Sequence, residues 1–125
     1  MLHKTSTSIV TAADGSATVY LGSNLRGNLV ALIYRPGASG LDTGADLTIT
    51  LETSAIPVLT VTNAGTADVF YYPRAIPNKV ADASAFTDVA ALIPMVEERI
   101  KVVVAQGGAT KTGSIEAIWD TENPH

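Results

Sequence analysis

Apolar and polar residues alternate with a period of two along most of this chain, and that rhythm constrains its fold more than any other feature. Asp46 to Thr53 reads D-L-T-I-T-L-E-T, with Leu47, Ile49 and Leu51 on one face and Thr48, Thr50 and Glu52 on the other, as in a half-buried strand. Ile100, Val102 and Val104 share a face in the same way, as do Ile115, Ala117 and Trp119. The glycine-bearing segment Gln106 to Lys111 lies between these last two runs, so Ile100–Ala105 and Ser114–Trp119 are expected to pair as a closing hairpin.

Thr5–Ala12 and Ala17–Leu21 flank Asp14-Gly15, where glycine supplies the positive φ of a tight turn, and a hairpin is expected there as well. Leu29–Arg35 is apolar on both faces, which places it centrally in a sheet, and Pro36-Gly37 ends it. Ile56–Thr62 and Ala67–Tyr72 flank Asn63-Ala64-Gly65-Thr66 and form a third hairpin-like pair. About eight short strands with turn signals roughly every ten residues describe an all-β fold, an antiparallel sandwich or small barrel. No repeat, low-complexity tract or internal boundary divides the sequence, so residues 1–125 are expected as a single β domain. Residues 1–7 are read as a flexible arm. Residues 73–94 are read as a long connecting loop carrying three prolines, within which Phe86, Val89, Ala90 and Ile93 at helical spacing, after Asp82 or Ser84 as N-cap, suggest a short helix over Asp82–Ile93.

Composition narrows the chemistry. With 125 residues, a compact fold buries roughly two-thirds of the unfolded chain's surface, so a core forms without staples. The absence of Cys excludes disulfides, zinc-thiolate sites and a thiol nucleophile. Both histidines, His3 and His125, stand near the ends, which leaves a Ser/His/Asp arrangement without a positioned imidazole. A net charge of −4 argues against a nucleic-acid surface. No apolar run approaches the roughly 18 to 20 residues of a membrane span, and the N-terminus lacks the apolar stretch of a secretory signal, so neither a membrane nor an export route is expected.

Other motifs read more simply as structure. Glu97-Glu98 are adjacent, would point to opposite faces if extended, and are read as solvated charges before a strand. Asp42-Thr43-Gly44-Ala45-Asp46 has the look of a calcium loop, but its twelfth position is Thr53 rather than Glu, so it is read as a turn into a strand. Gly107-Gly108 with Lys111 lacks the phosphate-loop spacing. Val69-Phe70-Tyr71-Tyr72-Pro73-Arg74 concentrates aromatics in one place and, since strand residues alternate faces, is read as core plus one exposed ring, with a sugar-stacking site as the alternative. No catalytic residue, cofactor or metal is expected.

The stretch Glu98-Arg99-Ile100-Lys101-Val102-Val103-Val104-Ala105-Gln106-Gly107-Gly108-Ala109-Thr110-Lys111-Thr112-Gly113, closing with Ser114 to Trp119, resembles the C-terminal hairpin of small structural proteins of tailed bacteriophages. The strand pair about Asp14-Gly15, the strand Asp46 to Thr50 and Tyr72-Pro73-Arg74 carry further echoes. The proteins it resembles are head decoration, or cement, proteins. The resemblance implies a virion protein made in the host cytoplasm, bound to the capsid exterior and stabilising it. Its partners would be the major capsid protein and further copies of itself, as a trimer or dimer, with no nucleic acid and no membrane. The contact surface is then expected from the terminal segment Met1 to Thr7, adding to a neighbour's sheet edge, and from the long loop Pro73 to Pro94, with Leu2, His3, Lys4, Tyr71, Tyr72 and Arg74 as interface residues, since Tyr and Arg are frequent hot spots. A neck, tail or spike protein and a carbohydrate-binding β-sandwich module are the alternatives.

Overall fold

A computed structural model describes residues 1–37, 40–87 and 89–121. Seven strands are present: β1 (Leu2–Val10), β2 (Ala17–Arg35), β3 (Asp46–Leu51), β4 (Pro57–Val61), β5 (Val69–Tyr71), β6 (Ile93–Ala105) and β7 (Thr112–Asp120). Every pairing is antiparallel, in the order β1-β7-β2-β6-β3-β4, with β5 added to β2. The expected all-β antiparallel class is what the chain adopts, and no helix occurs among the described residues.

One strand organises the rest. Over its first half β2 pairs with β6, from Ala17↔Val104 to Leu29↔Ile93; over its second half it pairs with β7, from Asn28↔Asp120 to Arg35↔Ser114. Register shifts at Leu21/Leu25, Leu25/Gly27 and Leu29/Ala31 mark the bulges that let it bend. Gly27 sits at the bend with φ of 113°, where an added Cβ would stand 2.1 Å from the Asp120 carbonyl oxygen, so only glycine lets β7 end so close. Ile9 of β1, Leu47 and Ile49 of β3, Val102 and Val104 of β6, and Ile115 and Ala117 of β7 all belong to one buried cluster. Strands at opposite ends of the sheet share a core only if the sheet folds over on itself, as strands that switch layers through bulges allow.

Several expected pairings are corrected. Two strands, of 19 and 13 residues, are long, and Ala17–Leu21 and Leu29–Arg35 are halves of one strand. Ile100–Ala105 and Ser114–Trp119 do not form a hairpin, because β2 lies between β6 and β7. Nor do the strands around Asn63–Thr66 pair with each other: β4 joins β3 and β5 joins β2. The Asp14-Gly15 turn exists, closed by Asp14 accepting the Ser16 N–H at 3.0 Å and hydroxyl at 2.6 Å, with Gly15 at φ of 83°. Its flanking strands nevertheless part to different neighbours, β1 to β7 and β2 to β6.

The N-terminal segment, expected as a flexible arm, is β1, in register with β7 from Leu2↔Asp120 to Val10↔Thr112. Three contacts hold its end. The N-terminal ammonium meets Asp120 at 2.9 Å, His3 stacks on Trp119 with centroids 5.3 Å apart, and the His3 Nε2 lies 2.9 Å from the Thr121 hydroxyl. His3 is therefore placed, while His125 lies outside the described residues.

Candidate functional site

Between β5 and β6 the chain leaves the sheet and returns to it at almost the same place. Tyr71, the last residue of β5, opposes Leu32 of β2, and Ile93, the first of β6, opposes Leu29. Three residue steps along one strand, from Leu29 to Leu32, separate the departing and returning legs, about 10 Å at the rise of a strand. The segment between them is a two-legged arm, not the expected helix. The legs exchange two backbone hydrogen bonds at Ala75 and Ala91, both 2.8 Å, bridge again at Asn78↔Ala85, and are joined by the Phe86 N–H donating to the Pro77 carbonyl at 3.1 Å.

Proline explains why this is an arm and not a further strand pair. Pro73 and Pro77 in one leg and Pro94 after the other supply no N–H to a ladder, so pairing is confined to positions between them. The signal read as a helix cap is a tip turn: Asp82 accepts the Ser84 N–H at 3.0 Å and hydroxyl at 2.7 Å, bonds that hold its carboxyl below its ordinary range. The Lys79 N–H donates to the Ser84 carbonyl at 2.7 Å, and Ala83 takes a φ of 63°. Arg74 secures the base. Its guanidinium donates to the Val30 carbonyl at 2.8 Å, at the β2 bulge between Leu29 and Ala31, and to Pro73 at 2.8 Å.

The arm carries apolar side chains that the core does not take. Tyr72, Ile76, Val80, Phe86, Val89 and Leu92 are half of the twelve exposed large hydrophobic residues among those described, and Val80 is fully solvated. The Lys79 ammonium lies 5.9 Å from the centre of the Phe86 ring. At the foot of the arm Phe70 is exposed beneath Arg35, whose guanidinium sits 5.8 Å from the ring. Glu116 and Asp68 bond to Arg35 at 2.9 Å each, and these bonds, Glu116 first, raise its pKa further.

The six expected interface residues separate into two groups. Tyr71, Tyr72 and Arg74 stand together at the base of the arm, where Tyr72 is exposed while Tyr71 packs against the core beside Tyr34. Adjacent strand residues face opposite ways, so the two rings do not make one stacking platform. Leu2, His3 and Lys4 lie on β1, separated from β5 by β7 and β2; Leu2 is 63% exposed, and Lys4 reaches Glu116 at 3.8 Å, the carboxylate that also holds Arg35 over Phe70. Sequence reasoning missed Ile76, Val80, Phe86, Val89 and Leu92. Their signal was large apolar side chains in a proline-bounded stretch without alternation.

Elsewhere the singled-out motifs are structural. The Gly107 N–H donates to the Gly15 carbonyl at 2.9 Å and the Asp42 carboxylate crowds Gly108, so this loop spends its groups on internal contacts. Asp42–Asp46 is a turn in which Ala45 N–H donates to the Asp42 carbonyl at 3.0 Å and Asp46 accepts from Asn63 at 3.0 Å. Among the described residues there is no cavity, and no group of three or more His, Asp or Glu is arranged around a common point.

No family model and no curated protein matches this chain. Among solved structures, a chain described as the crystal structure of FLHE is similar at 10% identity over 94% of this chain and 96% of that one, with a TM-score of 0.45. A likeness this distant carries no argument about what either protein does.

Proposed function

We propose that this protein is a structural subunit that acts by fitting against other subunits, and that it decorates the exterior of a tailed-phage head, with the major capsid protein as its partner. The apolar arm carries the first part of this reading. The β body holds six large hydrophobic residues in water along an Arg74-anchored extension, from Tyr72 at its base to Val80 and Phe86 farther out, and exposed apolar surface on this scale marks a contact site. The second part rests on the resemblance of the strand and turn patterns to cement proteins. A subunit that binds the assembled shell and not its dissociated parts stabilises the shell by mass action, through modest contacts repeated over many sites.

The test adds the purified protein to phage heads that lack it. Saturable labelling over the whole head is expected. Labelling confined to one vertex or the tail would replace decoration with a neck, tail or spike role. A variant with Ile76→Ser, Val80→Ser and Phe86→Ser should keep the strand signature in circular dichroism and lose the labelling; coating by that variant at the wild-type level would remove the arm from the reading.

A further inference from the structure

The arm's apolar surface is solvated in the single chain, and its amount and charge say what can cover it. By their fractional exposures, Tyr72, Ile76, Val80, Phe86, Val89 and Leu92 leave uncovered the equivalent of about three and a half whole side chains. At roughly 150 to 200 Å² for each large side chain, that is on the order of 600 Å². A standard interface takes about 800 Å² from each partner, of which about 65% is apolar in homodimers, or roughly 520 Å². The arm alone meets that requirement.

Charge points to a second copy. Residues 72–92 contain Arg74, Lys79, Asp82 and Asp88, two positive and two negative, so the arm is neutral and the net charge of −4 resides on the body. Two arms meet without like-charge cost, whereas two bodies repel each other. A two-stranded ribbon held by few bridges is also marginal alone and gains from further strands or a covering layer. A second ribbon of the same kind supplies that layer.

We infer that in the free protein the arms of two copies pack on each other as a two-fold symmetric dimer, each covering the other's Ile76, Val80 and Phe86. The contact is isologous, so it closes at two copies. It keeps the apolar surface out of water until another subunit exchanges for the partner arm. This rests on the arm as a contact element and not on the phage head as its target.

Sedimentation equilibrium of the full chain decides the matter. The wild type should sediment at twice its 13.0 kDa mass at about 10 µM, within the range of a standard interface. The double variant Val80→Asp with Phe86→Asp should weaken association by roughly a hundredfold, as loss of two central apolar anchors does. Val96→Asp, at a residue 74% exposed on β6 outside the arm, should leave the dimer intact. A wild type that stays monomeric at about 100 µM, a trimer, a double variant that remains dimeric, or a Val96→Asp protein that dissociates equally would each overturn the inference. Dimers that never coat heads would defeat the decoration reading alone, and monomers that coat them would defeat only the dimer.

Discussion

Glu97 and Glu98 are neighbours in sequence with opposite fates, and replacing each in turn tests the account of how the sheet is built. Glu97 is exposed, takes a φ of 53° and pairs with Arg26 across the surface. Glu98 is 5% exposed, and its carboxylate accepts the Thr53 N–H at 2.8 Å and the Ser54 N–H at 3.2 and 3.4 Å, capping the turn that joins β3 to β4. A backbone hydrogen bond to a buried charge contributes about 1.5 to 3 kcal/mol. One strong bond and one shared between two oxygens, less the desolvation recovered when the carboxylate is removed, give about 3 kcal/mol for Glu98→Ala. Glu98→Gln keeps one acceptor oxygen and should lose about half of that. With an m-value near 1.5 kcal/mol/M, urea unfolding should show the Glu98→Ala midpoint lowered by about 2 M. Glu97→Ala should fall within about 0.5 kcal/mol of wild type, as exposed pairs usually do. Amide exchange at Thr53 and Ser54 should quicken in Glu98→Ala and remain unchanged in Glu97→Ala. Equal midpoints for the two alanine variants would refute the reasoning, since the burial of Glu98 and the bulge that directs it inward would then carry no weight.

Two further expectations follow from the core. Gly27→Ala forces a Cβ to 2.1 Å from the Asp120 carbonyl oxygen at a φ of 113°, so it should cost more than about 3 kcal/mol and lower the melting temperature by about 10 °C or more; a change below about 3 °C would contradict the close approach. Tyr34 is fully buried, and burial, with Tyr71 adding to it, pushes its pKa up to about 12. The folded chain thus keeps the phenolic proton where the unfolded chain releases it near 10. The stabilisation is complete below about pH 10 and is lost as pH climbs toward 12. Tyr34→Phe should cost about 1 kcal/mol at neutral pH, from the hydroxyl bond to the Gly65 carbonyl at 3.3 Å, and should flatten the alkaline fall in stability measured by urea titration; an unchanged slope between pH 10 and 12 would disprove the assignment.

Strand positions were legible because alternation is a local property. Leu47, Ile49 and Leu51 are buried and Ile100, Val102 and Val104 are buried, as the period of two requires. The expectation of two solvated charges at Glu97-Glu98 holds for Glu97 alone: Glu98 is buried and accepts from the Thr53 and Ser54 N–H groups. Counting back two residues from Ile100 puts it on the inward face, and the two consecutive exposed residues Val96 and Glu97 mark the bulge that shifts the parity of Ile93 and Met95. Pairing was not legible, because a turn signal states only that the chain reverses. Asp14-Gly15 reverses it, yet β1 and β2 go to different neighbours, and β2 separates β6 from β7 although those two are adjacent in sequence. Only the folding-over of the whole sheet decides such long-range contacts.

The arm was hidden for a different reason. Apolar spacing is ordinarily evidence about a chain's own core, and the 3.6-period match of Phe86, Val89 and Ile93 pointed to a helix on that assumption. Ile93 does enter the core, as the first residue of β6, while Phe86 and Val89 remain in water on a leg that follows no helical path. A pattern half of which is buried in the core and half left in water cannot be decoded by asking what the chain buries. The stretch was expected to supply contact surface, but its individual residues were not; on the proposed reading they are addressed to another subunit, and Arg74 on the Val30 carbonyl fixes the base of the arm that carries them.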